Sequence, residues 1–364
     1  MDQINIIPDD REKRQLRLYY AKISLIVIVL VVVFSGVNEL VLYIASGIAG
    51  GGFSKELVTS GRKIVASIPL AKTAYSYFFP LAADAAALFT GLAITKCDLK
   101  KMLRFSGFDG KDLFEFTSLS YGMATAGSFI CVIISGIVGI IIGKNGTEGL
   151  EESLAGMMPS DDPLWINILV YLYVCIIGPI MEELIFRGVL LEALRKYGNG
   201  FGIIMSAVMF GLMHQRFVQC IPAILLGIIF AGMAVKSGSL IPSIFAHIVN
   251  NTMSAVLMVM IQGMDMKKLM EFEKADPFNV DMDAMTALMK DMVPLIVVML
   301  IILAVRLGAL LVTVIISGRF FSSKRRLIAK SEYCDKRTWG YFFTSVPWIA
   351  VILYLTYTTV TTIV

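Results

Sequence analysis

Long apolar runs alternate with short polar connectors along the whole chain. A helix needs roughly 20 predominantly apolar residues to cross a bilayer. Runs of that kind fall near 22–48, 72–96, 118–143, 164–186, 201–214, 217–236, 239–261, 292–317 and 339–363, the fifth being short for a full crossing. The pattern predicts an all-α, polytopic transmembrane helical bundle of about eight or nine membrane helices. Its expected organisation is a tail over 1–21, N-terminal transmembrane helices over 22–143, a helical core over 164–261, a loop over 262–291 and C-terminal helices over 292–364.

Composition agrees. The 364 residues are 57% hydrophobic and only 16% charged, against about 25% charged in an ordinary soluble domain. The net charge of +4 is too small to suggest a nucleic-acid partner; the lipid bilayer is the expected surrounding. Cys97, Cys131, Cys175, Cys220 and Cys334 form no CxxC or other metal spacing, and their odd number argues against a disulfide framework. They read as free structural thiols. The polar stretch Met1–Lys22 precedes an apolar run longer than the roughly 7–15 residues of a signal-peptide core, so the first run reads as an uncleaved membrane helix.

Charge alternates between successive connectors. Arg11, Lys13, Arg14 and Arg17 precede the first run, and Lys96, Lys100, Lys101 and Arg104 follow the second. Arg195 and Lys196 follow the fourth, and Arg319, Lys324, Arg325, Arg326 and Lys330 follow the eighth. The positive-inside rule then places the N-terminus in the cytoplasm and the C-terminus outside. The opposite connectors fit: 144–163 is acidic, and 262–291 carries both charges with acids in excess. Within the latter, 265–274 reads either as a short amphipathic helix at the outer surface or as a solvated connector. Asn145-Gly-Thr147 matches a glycosylation acceptor pattern that three residues often meet by chance.

The chain has only two histidines, His214 and His247, both inside apolar stretches. Ionisable groups within a membrane are expensive and mark function by default. A third apolar stretch carries Glu182, Glu183 and Arg187. Adjacent glutamates on a helix point about 100° apart and cannot face one atom equally. Glu183 and Arg187, four apart, share a face and can pair, which leaves Glu182 to face a cavity. Pro179, just upstream, is expected to kink the helix and open that cavity. Read alone, the segment is equally an interfacial charge cluster.

Heights bring the motifs together. Glu182 lies some sixteen residues before the middle of the turn at Tyr197-Gly-Asn-Gly200, and His214 some sixteen after it. In a hairpin both then stand about 24 Å above the turn, at ~1.5 Å per residue. His247 follows Gly238 by nine residues, about 14 Å from its own turn. Part of the first hairpin is charged and protrudes, so the three groups meet at one depth. His247 and Asn251 share a helix face; Asn250 points elsewhere, towards packing or a helix–helix hydrogen bond.

A carboxylate and an imidazole sharing a water can activate it as a nucleophile, with Glu182 accepting and returning the proton. A second histidine and an asparagine amide can donate to a developing oxyanion. The set suits amide hydrolysis. No Gly-x-Ser-x-Gly elbow is present and no cysteine joins the motifs, so covalent catalysis is unsupported. Zinc held by His214, His247 and Glu182 is the alternative, although HExxH is absent; the expectation is catalysis without metal or other cofactor.

The ordered set Glu182-Glu183-x-x-x-Arg187, Phe210-x-x-x-His214 and His247-x-x-x-Asn251 resembles the CAAX-protease and bacteriocin-processing family of intramembrane proteases. That family, also called Abi, includes the CAAX prenyl endopeptidase of the Ras-converting type. The resemblance covers roughly 164–260. It implies a glutamic intramembrane endopeptidase whose helical core encloses a conical cavity open to the cytoplasm. Glu182 would be the catalytic glutamate and His214 its partner on water. His247 and Asn251 would form the oxyanion hole, with Glu183, Arg187 and Phe210 supporting. A peptide or membrane-protein substrate is implied; neither its identity nor the oligomeric state is.

Two other classes stay open: a non-proteolytic immunity or scaffold protein of the same fold, and an ion-coupled transporter. The transporter reading draws on Glu39, Asp84 and Arg306 in membrane helices and on the count of spans, though no repeated halves are seen. An ion pair of Arg306 with Glu39 or Asp84 is the expected structural explanation of these charges. No eukaryotic targeting signal is recognisable, and a bacterial plasma membrane is expected.

Overall fold

A computed structural model describes residues 10–48, 77–104, 109–142, 164–196, 198–262, 282–320 and 336–363. The acidic connector 144–163, the glycosylation-like triplet, the 265–274 segment, Tyr197 and Cys334 lie outside them, as does the side chain of Glu39.

Among the described residues every regular element is a helix. They are α1 (Asp10–Ile48), α2 (Phe79–Thr95), α3 (Leu99–Met102) and α4 (Gly110–Ile142). The next apolar stretch is one continuous rod of mixed winding: α5 (Leu164–Leu172), π1 (Tyr173–Ile177), α6 (Gly178–Glu183), π2 (Leu184–Leu191) and α7 (Glu192–Arg195). Then follow α8 (Asn199–Met213), α9 (Phe217–Ser237), α10 (Ile241–Gln262), α11 (Met282–Phe320), α12 (Lys336–Phe343) and α13 (Val346–Val360).

Among the described residues, five stretches are long and apolar enough to cross a membrane: Lys13–Gly36, Gly110–Ile142, Leu164–Arg195, Phe217–Ser237 and Ile296–Ile316. Phe79–Thr95, Asn199–Met213 and Val346–Val360 are shorter apolar helices. Large apolar side chains stand on the outside, with Ile140 84% and Ile141 75% exposed. Such a surface suits lipid rather than water, and helices are the form in which a chain satisfies its backbone in hydrocarbon. The chain is an integral membrane protein.

Several elements differ from the hydropathy pattern. The helix α11 starts at Met282, ten residues before the apolar run, because a helix continues beyond the part that is apolar. The last apolar stretch is broken into α12 and α13 at Ser345, where the backbone is extended and Pro347 opens the new helix; proline has no N–H to lose there.

Contacts fix the direction of the rods. Tyr19 Oη donates to Ala193 O at 3.2 Å, Leu240 N to Met102 O at 2.7 Å, and Lys236 pairs with Asp112 at 2.6 Å. The starts of α1, α4, α8 and α10 and the ends of α2, α7 and α9 therefore share one end of the bundle. Tyr20, Phe201, Phe342 and Trp348 form an aromatic cluster there, with Tyr20 and Phe342 edge-on at 5.4 Å. At the other end Phe217 N donates to Thr362 Oγ1 at 2.8 Å, so α13 finishes beside the first turn of α9.

The helices α8 and α9 pack against each other as a hairpin, and α9 also packs on α4. A Cβ at Gly227 would stand 2.9 Å from Ala207 Cα and 3.3 Å from an Arg187 Nη atom. One at Gly127 on α4 would stand 2.7 Å from Pro222 Cα. Small residues let membrane helices approach this closely.

Candidate active site

The helix α8 has 15 residues, about 22 Å at ~1.5 Å per residue. That is less than the ~30 Å hydrocarbon core, so the turn after it lies at membrane depth. His214 caps α8, Gln215 takes a left-handed conformation (φ 51°), Arg216 is extended, and Phe217 starts α9. His214 is thus held at a sharp turn inside the bundle.

Its Nδ1 lies 2.9 Å from Phe210 O. A carbonyl only accepts, so Nδ1 carries the proton, and Nε2 of the neutral ring is left as an acceptor. The Phe210 ring stands edge-on to both imidazoles, 5.1 Å from His214 and 5.6 Å from His247. It is a wedge that spaces the two histidines.

Glu183 and Arg187 are fully buried and pair at 3.0 Å between Oε1 and an Nη atom. The guanidinium also lies over Phe210 at 4.3 Å and Phe230 at 5.5 Å. Aromatic faces attract a cation electrostatically, which offsets part of its loss of water. Gly227 supplies the space on α9 for this side chain.

The imidazole of His247, 3% exposed, lies between the two glutamates. Nδ1 is 3.1 Å from Glu183 Oε1 and Nε2 is 3.4 Å from Glu182 Oε2. The adjacent carboxylates therefore do not compete for one atom; they take opposite nitrogens of one ring. Phe230 packs on that ring at 4.9 Å and 31°. An ionised carboxylate cannot donate, so a proton must lie between Nε2 and Glu182, on one or the other, for that contact to be attractive.

Glu182, Glu183, Arg187 and His247 are in direct contact. His214 joins them through the Phe210 ring. Asn251, one turn past His247, donates from Nδ2 to Val174 O at 2.9 Å. Asn250 faces elsewhere, donating to Ser120 Oγ at 2.8 Å and tying α10 to α4.

Pro179 does not kink a continuous α-helix; it opens α6 directly after π1. Winding of this kind recurs at functional sites, and here it brackets the glutamate pair. Of the two partners expected for Arg306, Glu39 has its side chain outside the described residues, and Asp84 is bonded elsewhere. Asp84, 7% exposed, accepts from Tyr173 Oη at 2.6 Å, and Arg306 lies 5.6 Å from the Tyr121 ring centroid. Both Asp84 and Tyr173 are within electrostatic reach of Glu182.

Phe230, Tyr173 and the Val174 carbonyl were not singled out by sequence. An aromatic residue in an apolar helix carries no signal of what its ring covers, and which carbonyl a proline leaves free depends on the helical register around it.

Residues 163–253 match the family described as type II CAAX prenyl endopeptidase Rce1-like. A Bacillus subtilis (strain 168) protein with the printed name "Putative membrane peptidase YdiL" is 30% identical over 141 residues. The alignment takes in 38% of this chain and 57% of that protein, so the chain spans just over half of this curated relative. No solved structure matches the chain. All the polar groups of the cluster on α6, π2, α8 and α10 fall inside the matched stretch, so it is the helical core of this chain that is similar to the Rce1-like CAAX prenyl endopeptidases.

Proposed function

We propose that the chain is a membrane-embedded endopeptidase that hydrolyses a peptide bond of a membrane-associated protein or peptide with a water activated by Glu182 and His214. The observation that carries this reading is the convergence of two carboxylates on His247, with His214 held across the same phenylalanine ring. It falls within the stretch matched to the endopeptidase family.

The chemistry follows from what each group can give. Glu182, 29% exposed, is the carboxylate with access, whereas Glu183 is sealed. Glu182 and His214 Nε2 both accept from a water between them, and Glu182 takes its proton as the oxygen attacks the carbonyl carbon. His247 Nε2–H and the second N–H of Asn251 donate to the oxyanion, a contribution that grows as charge develops. Collapse breaks the C–N bond, and the proton held on Glu182 passes to the departing amine. Glu183 and Arg187 hold His247 in place, balancing each other's charge.

Zinc on His214, His247 and Glu182 is the lesser reading. Both nitrogens of His247 already face carboxylates, so a metal would have to replace the Glu182 contact. Opening of the site to the cytoplasm, in a bacterial plasma membrane, is part of the proposal; it is supported by the basic connectors at the end of the bundle shared by α7 and α8.

The test is cleavage of a membrane-peptide library by the purified protein in detergent. Loss of cleavage in both Glu182→Gln and His214→Ala is expected. Cleavage that persists in both removes the assigned site.

A further inference from the structure

We infer that Pro179 is a positioning residue for Asn251, acting through the carbonyl of Val174; this rests on the reading of Asn251 as an oxyanion donor. In an α-helix Val174 O would accept from the N–H of Gly178. That N–H is committed to Tyr173 O, five residues back, in the bond that closes π1. In a π-helix Val174 O would accept from residue 179, which is proline and has no N–H. Neither register provides a donor, and the carbonyl is left over from its own helix.

Backbone carbonyls at membrane depth need a partner, and the side-chain amide of Asn251 supplies one at 2.9 Å. An amide NH2 carries two N–H groups. With one given to Val174, the plane of the amide and the direction of the second N–H are fixed. Asn251 stands one turn from His247 on the same face of α10, so the second N–H serves the side of the cluster where His247 donates. The position of the proline selects which carbonyl is freed, and thereby where the amide is held.

The experiment uses the full chain in detergent and a quenched-fluorescent peptide chosen from a library for its cleavage by the unaltered protein. Pro179→Ala restores an N–H that can close on Val174 and release Asn251. Its kcat should fall about 10-fold or more with KM unchanged, while the thermal midpoint holds or rises, because alanine is a better helix former. Pro179→Gly restores the same N–H and should lose kcat likewise. Asn251→Ala should lose roughly 10²–10³ in kcat, and Pro179→Ala added to it should change nothing further, since coupled residues are not additive. Wild-type kcat in Pro179→Ala beside an impaired Asn251→Ala overturns the coupling alone, as does a Pro179→Ala loss that multiplies in full with that of Asn251→Ala. Full kcat in Asn251→Ala overturns the oxyanion assignment instead.

Discussion

His247 reaches Glu183 through Nδ1 at 3.1 Å, from a helix 64 residues further along the chain. The bond orients the ring so that Nε2 faces Glu182. One buried carboxylate thus sets the direction in which the histidine can act on its neighbour.

The two glutamates should therefore fail differently. Glu182→Gln is expected to lower kcat by roughly 10²–10⁴, the usual contribution of a general base, with the thermal midpoint unchanged. Glu183→Gln should lower activity and midpoint together, because it leaves Arg187 buried against a neutral partner. Steady-state cleavage and melting in detergent decide it. If Glu183→Gln alone abolishes cleavage, the roles given to the two are exchanged.

Arg187→Met should cost about 3–5 kcal/mol, the range for breaking a buried pair by removing one partner. Combined with Glu183→Gln, part of that loss should return. Chemical denaturation of the two single variants and the double variant measures the coupling; strictly additive losses would contradict the pair.

Phe210→Leu keeps an apolar side chain of moderate size but removes the ring that separates His214 from His247. Cleavage should drop by at least about 10-fold, the scale on which small misplacements near a reacting centre act. A variant with wild-type kcat would show that the ring spacing is not used.

Cleavage should survive incubation with EDTA and 1,10-phenanthroline. Activity that disappears with chelator and returns with added zinc would replace the water-activating carboxylate with a metal.

Tyr173→Phe removes the donor to buried Asp84 and should cost about 1–3 kcal/mol, the penalty for an unsatisfied buried group. Asp84→Asn, which can still accept from the tyrosine, should cost less. A larger loss for Asp84→Asn would point to a role for the charge itself.

Helix placement was legible because lipid demands long apolar stretches: Phe217–Ser237 differs from its apolar run by one residue. The site motifs were legible because Glu182, Glu183, His214 and His247 are the kind of residue a membrane excludes without cause. The winding of 164–195 was not, since an apolar run reads the same in α and π register. That register decides which carbonyl Asn251 meets, and it places Asp84 opposite Tyr173 rather than Arg306. The break at Ser345 was signalled only by Pro347, inside an otherwise continuous apolar stretch.

The bond from Phe217 N to Thr362 Oγ1 spans 145 residues. It anchors the first turn of α9, three residues after His214, to the helix that follows all the others described. As the first N–H of α9, that of Phe217 has no partner within its own helix. The turn that carries His214 can gain this anchor only once α13 is in place. A chain ended at Phe320 would lack that anchor, and the proposed cleavage should be lost with it.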